Sequence, residues 1–205
     1  NIFELDKNFT QKNIKNSDIV FITNPNQIAN KDFTIKEMKN LCKKYPQKKF
    51  FIDESYAEFG HFSFVNLTKK IKNIFVMRSI TKSFGLASAR IGFLIAHKDT
   101  IKSFKALETP YPVSLFSGKC LNYFLLNKKL TLNYNKSVNI GRKFICKKLR
   151  SLKYKVHDSS GLSILIYFKS KKYLDNKYNF LMKKFIYTKK LTYGGYNFLR
   201  ITCGP

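Results

Sequence analysis

The sequence predicts an α/β fold: a mainly parallel sheet flanked by helices, followed by a smaller α/β unit. Two observations carry this. Short runs with no polar face, such as "DIVFIT" (18–23) and "NIFVMRS" (73–79), alternate with segments of helical periodicity, the signature of parallel strands buried on both sides. After "TPYPVS" (109–114) the order changes to long helical patterns and then a mixture of strands and one helix, which marks a second unit.

Element by element, "DIVFIT" is a buried strand ended by the turn-forming "NPN" (24–26). "KDFTIKEMKNLCKKY" (31–45) carries Phe33, Ile35, Met38, Leu41 and Cys42 at helical spacing and stops at Pro46. "KFFID" (49–53), "NIFVMRS" and "IGFLIAH" (91–97) supply three further strands. Helical patterns run through "LFSGKCLNYFLLNKK" and "NKSVNIGRKFICKKLRSL", followed by "KYKVHD", "GLSILIYF", the helix-like "KYLDNKYNFLMKKF" and the strand "NFLRITC". The boundary is expected near residue 125, inside helical sequence, giving a partial large domain over 1–125 and a small domain over 126–205.

With 44% hydrophobic and 16% aromatic residues, the 205-residue chain can build real cores. Its longest apolar runs fall far short of the roughly 20 residues a bilayer span needs, so a cytoplasmic protein without membrane contact is expected. The opening "NIFELDKNFTQKN" has neither an initiator Met nor a signal pattern and reads as part of something longer. Cys42, Cys120, Cys146 and Cys203 lack a CxxC pair and read as free thiols. His61, His97 and His157 are scattered, so no metal site is expected.

The net charge of +27 raises nucleic-acid binding. The excess is Lys spread along the chain in pairs such as Lys43/Lys44 and Lys183/Lys184, with only five arginines. It lacks the Arg-rich stripe with interleaved aromatics that marks a dedicated interface. Salt-sensitive, non-specific attraction is what this charge implies.

Polar residues gather at strand ends, where open α/β sheets bind ligands: an Asn in "FITNPN", Asp53 and Tyr56 in "FFIDESY", and Ser79, Thr81 and Lys82 in "VMRSITK". A phosphate-binding P-loop would need Gly at the positions of Val76 and Thr81, so that reading fails. Taken singly, each residue has a structural reading: Asp53 in a turn, Tyr56 in a core, Ser79 or Thr81 capping a helix, Arg200 in a surface ion pair.

Taken in order, "NPN", "DESYAEF", "RSITKSFGLASARIGF", "PYPVS" and "LRITCG" resemble the fold-type I pyridoxal-phosphate-dependent aminotransferases (class I/II), closest to the histidinol-phosphate aminotransferase branch. The resemblance runs from about Ile14 to Pro205. It implies the cofactor pyridoxal 5′-phosphate, with Lys82 as the Schiff-base lysine that also moves a proton at the substrate α-carbon. It implies Asp53 beside the ring nitrogen, Tyr56 on the ring's 3′ oxygen, and Ser79, Thr81 and Arg90 on the phosphate. Arg200 resembles the arginine that clamps a substrate carboxylate. The implied reaction is transamination between an amino donor and a keto acid, or of a phosphorylated amino substrate, by a homodimer. A phospho-amino-acid decarboxylase, a basic nucleic-acid-binding module and a non-catalytic remnant are the alternatives.

The chain departs from the family pattern in places. "NPNQIAN" (24–30) stands where NPNNPTG is usual, leaving Asn26 or Gln27 to reach the 3′ oxygen; Asn26 is the closer chemical match. A second small-domain arginine is replaced near "YTKKL" by Thr188, Lys189 or Lys190, a point charge in place of a fork. The family's N-terminal third, with its glycine-rich phosphate segment and stacking aromatic, is expected to be missing.

Overall fold

The computed structural model describes residues 13–26, 32–158 and 161–204. These fall into two compact units, one of residues 13–25 and 32–134, the other of residues 26, 135–158 and 161–204.

The first unit is built on a four-stranded sheet in the order β1 (Ile19–Thr23), β2 (Lys49–Asp53), β3 (Ile74–Ser79), β4 (Gly92–Ile95). β1, β2 and β3 run parallel and β4 is antiparallel to β3. The mainly parallel sheet with flanking helices is therefore observed. α1 (Ile35–Lys44) connects β1 to β2, and its start is set by a capping box: the Thr34 hydroxyl accepts from Glu37 N–H while the Glu37 carboxylate accepts from Thr34 N–H. Met38, Leu41 and Cys42 of α1 are buried, as are Phe50, Ile52, Ile74 and Val76 of β2 and β3. Asn73 Nδ2 donates to the carbonyls of Cys42, Tyr45 and Lys48, fastening the end of α1 to the strand that follows.

Burial on both faces holds for β3 and weakens toward the sheet's edge, with Phe51 of β2 already half-buried. Register places Phe21, Phe51 and Phe75 in one row on the same face. Their rings stack at 5.1 and 4.5 Å, and Phe104 of α4 (Lys98–Lys105) meets only the Phe75 end. Cover is thus lost along the row: Phe75 is buried, while Phe21 is 70% exposed. A helix of eight residues, about 12 Å long, does not reach across the sheet. α4 itself was not expected from the periodicity; the His97 ring nitrogen accepts from Asp99 N–H at its start.

α2 (Val65–Thr68) precedes β3, and α3 (Ile80–Ser83) follows it. α5 (Leu115–Leu126) and α6 (Lys128–Ser151) match the two predicted long helices, with α6 contributing residues up to Tyr134 to this unit and the remainder to the other.

The second unit has an antiparallel sheet in the order β5 (Val156–Asp158), β6 (Ser163–Phe168), β8 (Tyr196–Thr202), β7 (Lys189–Tyr193). Ile166, Phe168 and Leu199 pack with Leu174 of α7 (Lys171–Lys183). Cys146 of α6, Ile164 and Cys203 form an adjoining buried cluster. β7 was not foreseen: "KKLTY" is polar and exposed, as an edge strand is. Its hairpin to β8 turns through Gly194 and Gly195, both at positive φ, the glycine pair that a two-residue turn favours.

Candidate active site

The strand registers assemble the site. Thr23 lies opposite Asp53 and Asp53 opposite Met77, so the carboxyl ends of β1, β2 and β3 stand side by side. Side chains two residues apart share a strand face. Asp53, Met77 and Ser79 therefore project from one face, with Asp53 and Ser79 at adjacent strand ends. Beyond β2 the Asp53 carboxylate accepts from Ser55 N–H at 2.9 Å, which turns the chain and leads Tyr56 into a short 3₁₀ turn, Ala57–Phe59.

Beyond β3 the Ser79 hydroxyl accepts from Thr81 N–H at 3.3 Å and caps α3, so the capping role is real. The same hydroxyl lies 2.7 Å from the Thr81 hydroxyl, making an adjacent pair of groups able to donate and accept. Lys82 is half-buried, and its Nζ lies 5.1 Å from the centroid of the Tyr56 ring. α3 is anchored from below: Ile80 is buried with Ala89 and Ile91, against which Phe84, Leu86 and Leu121 pack.

That cluster also brings Arg90 into the neighbourhood, since Gly92 pairs with Ser79 across β3 and β4 and the Ser79 hydroxyl lies 3.5 Å from the Ile91 carbonyl. Arg90 has left-handed backbone, φ 50°, uncommon for a residue with a side chain. Its guanidinium is exposed and donates to the Ala87 carbonyl at 3.3 Å. Gly92 is needed for close approach, because a Cβ there would meet the Arg78 carbonyl oxygen at 3.0 Å.

The remaining predicted residues belong to the other compact unit or lie outside the described residues. Asn26 is half-buried and belongs to the other compact unit, and Gln27 lies outside the described residues. Arg200 sits in β8 opposite Leu165 and Lys189, half-buried, with no hydrogen-bond or ion-pair partner among the described residues. Of the three positions near "YTKKL", Lys190 is engaged: its Nζ contacts the Asp175 carboxylate at 2.6 Å and lies 4.7 Å from the Tyr178 ring centroid.

Two charged residues went unassigned from the sequence. The Glu54 side chain is fully buried and accepts from Arg78 Nε at 3.0 Å, Ser63 Oγ at 2.6 Å and Phe64 N–H at 2.5 Å. Arg78 Nη1 also donates to Glu58 Oε1 at 2.5 Å. The signal was an acid directly after Asp53 and a base directly before Ser79, on neighbouring strands.

An amine over a phenol, a carboxylate at the adjoining strand end and two touching hydroxyls form a donor set suited to a charged, oxygen-rich aromatic ligand. The sequence profile of the family described as aminotransferase class I and II matches residues 2–205. A dihydroxyacetone phosphate transaminase of Campylobacter jejuni is 32% identical over 161 residues, covering 73% of this chain and 43% of its own length. A histidinol-phosphate aminotransferase of Carboxydothermus hydrogenoformans is 31% identical over 206 residues, 98% of this chain and 57% of its own. The chain thus spans about half the length of the curated relatives it matches. In fold it resembles the crystal structure of a histidinol-phosphate aminotransferase from Sinorhizobium meliloti in complex with pyridoxal-5′-phosphate, with a TM-score of 0.85 at 17% identity over 96% of this chain and 55% of that one. With its profile match covering nearly every residue, this chain belongs to the class I and II aminotransferase family.

Proposed function

We propose that this chain is the catalytic-lysine-bearing part of a pyridoxal 5′-phosphate-dependent aminotransferase acting on a phosphorylated amino substrate of the histidinol-phosphate type, with a keto acid as partner substrate. The observation that carries it is the position of Lys82 Nζ, 5.1 Å from the Tyr56 ring centroid and one strand away from Asp53. Both relatives described above are named for phosphorylated substrates, which supports the same substrate class.

The donor set fits the cofactor. Lys82 would hold it covalently, Asp53 would keep a proton on its ring nitrogen, and the Tyr56 phenol and the Asn26 amide would meet its 3′ oxygen. Ser79, Thr81 and Arg90 would hold its phosphate. When bound, the cofactor supplies an electron sink for the charge left at the substrate α-carbon. Lys82 would be the amine that removes that carbon's proton and returns it at the neighbouring centre. Arg200, a half-buried fork with no carboxylate partner among the described residues, is the group we assign to the substrate α-carboxylate. A homodimer is part of this reading, supported by the exposed apolar side chains of Leu107, Tyr111, Leu115 and Phe116 along one stretch of the first unit. A cytoplasmic location agrees with four free thiols.

The test uses the full-length parent. Incubation with pyridoxal phosphate, borohydride reduction and peptide mapping should place the added mass on Lys82. Amino transfer should then require a keto acid. Folded protein that gains no mass at Lys82 would sink the proposal; carbon dioxide release without keto acid would turn it into a decarboxylase.

A further inference from the structure

We infer that Glu54 and Arg78 are a positioning pair that holds the Asp53–Tyr56 segment against the Ser79–Lys82 segment. The inference rests on the proposed function and adds two residues to it. Along β3, Arg78 and Ser79 point to opposite faces; along the chain leaving β2, Glu54 directly follows Asp53. Asp53 and Ser79 thus share the front of the two strand ends, while Glu54 and Arg78 join behind them at 3.0 Å. The backbone continues the same link, with Glu54 N–H donating to the Met77 carbonyl at 2.8 Å.

Arg78 holds a second point. Its Nη1 reaches Glu58 at 2.5 Å, two residues past Tyr56. One guanidinium therefore grips the chain on either side of Tyr56, at Glu54 and at Glu58, while its own backbone leads through Ser79 to Lys82. A planar fork can fix two acceptors at once, where an ammonium is a single point of charge. Three donors engage both oxygens of the Glu54 carboxylate, which fixes its orientation. A contact serving only to join β2 to β3 would be redundant, since those strands are already paired through Asp53 and Met77, and apolar replacements of buried ion pairs often stabilise as well. What the charges add is direction, and the groups they direct are Tyr56 and Lys82.

The test compares Arg78→Lys, Glu54→Gln and Glu58→Gln in the full-length parent. Three quantities are read: the melting transition without cofactor, the Kd for pyridoxal phosphate, and the pH midpoint of the visible absorbance of the lysine-bound cofactor. The expected result is a cooperative melt in each variant. For Arg78→Lys and Glu54→Gln, Kd rises about ten-fold or more, as for other outer-shell positioning groups, and the pH midpoint moves. Glu58→Gln gives a smaller effect of the same kind. Folded variants with the parent's Kd and midpoint overturn the inference while leaving the proposed function standing. Failure of all three variants to fold also overturns it, assigning the pair to stability alone. A parent that does not take up cofactor at Lys82 removes both.

Discussion

Lys82 Nζ lies 5.1 Å from the centroid of the Tyr56 ring, and among the described residues this aromatic face, not a carboxylate, is the neighbour of the amine. The contrast with other lysines is chemical. Lys72 and Lys190 are tied to Asp99 and Asp175 at 2.8 and 2.6 Å, contacts that engage the amine in charge-assisted hydrogen bonds. A ring face attracts a cation by about 0.5–2 kcal/mol and leaves the amine's hydrogen-bonding capacity available. Lys82→Ala is therefore expected to prevent covalent cofactor attachment and to cut turnover by about 10²–10⁴-fold, the usual reach of a lost acid–base group. Tyr56→Phe keeps the ring and loses only the hydroxyl, so attachment should persist with about a ten-fold drop in cofactor affinity. Mass mapping and equilibrium titration of the full-length parent read the two effects separately.

Arg200 presents a half-buried guanidinium on β8 with no ion-pair partner among the described residues. If a substrate carboxylate is its partner, Arg200→Lys should raise KM for the amino donor by about 10–100-fold, the loss of one charged hydrogen bond, while cofactor affinity stays unchanged. An equal loss of cofactor affinity would assign Arg200 to the cofactor or to the fold.

Burial separates the thiols. Desolvation pushes Cys42 up to about 12 and Cys146 up to about 11, and Cys203 is raised for the same reason. Cys120 is half-buried. Because the thiolate is the reactive form, a thiol reagent at neutral pH should label Cys120 first in the folded chain and reach the other three only after denaturant is added. Labelling followed by peptide mass spectrometry checks the order.

His157 is held below its ordinary range mainly by burial, with the Asp158 charge opposing. A folded-state value below the unfolded one means that the unfolded chain binds the proton more readily, so stability from this group is full above about pH 6.5 and is lost as pH falls below it. His157→Gln should flatten the dependence of the denaturation midpoint on pH between about 5 and 7. A variant with the parent's slope would show that other groups set it.

Gly141, within α6, faces the carbonyl oxygen of Gly204: a Cβ there would stand 2.9 Å from it. The obstacle is backbone, so it cannot swing away as a flexible side chain would. Despite alanine's better helix propensity, Gly141→Ala should destabilise the second unit by about 1–3 kcal/mol, measured by denaturant titration. Unchanged stability would mean that the segment after β8 moves aside freely.

Much of the architecture was legible because its signals are local. Apolar runs at β1 to β4 and the periodicity of α1, α5 and α6 mark strands and helices directly. α4 and β7 escaped for opposite reasons. "KDTIKSFK" is a short helix started by a His cap, and "KKLTY" is an edge strand whose sequence carries little apolar alternation. In the site, Asp53, Tyr56, Ser79, Thr81 and Lys82 could be singled out because they cluster at predicted strand ends. Glu54 and Arg78 could not, since 24 residues separate them and only the parallel register of β2 and β3 makes them neighbours.

What the residue order determined alone is the kind of layers the chain builds and the chemical inventory at the ends of its strands: an amine, a carboxylate, a phenol and hydroxyls. Those depend on hydrophobic periodicity and turn chemistry, which act over a few residues. Which members of that inventory meet was decided by tertiary structure. Pairing of Asp53 with Met77, the seating of Ile80 on Ala89 and Ile91, and the grip of Arg78 on both Glu54 and Glu58 are contacts between distant segments. Their geometry exists only once the sheet has formed and its core has excluded water.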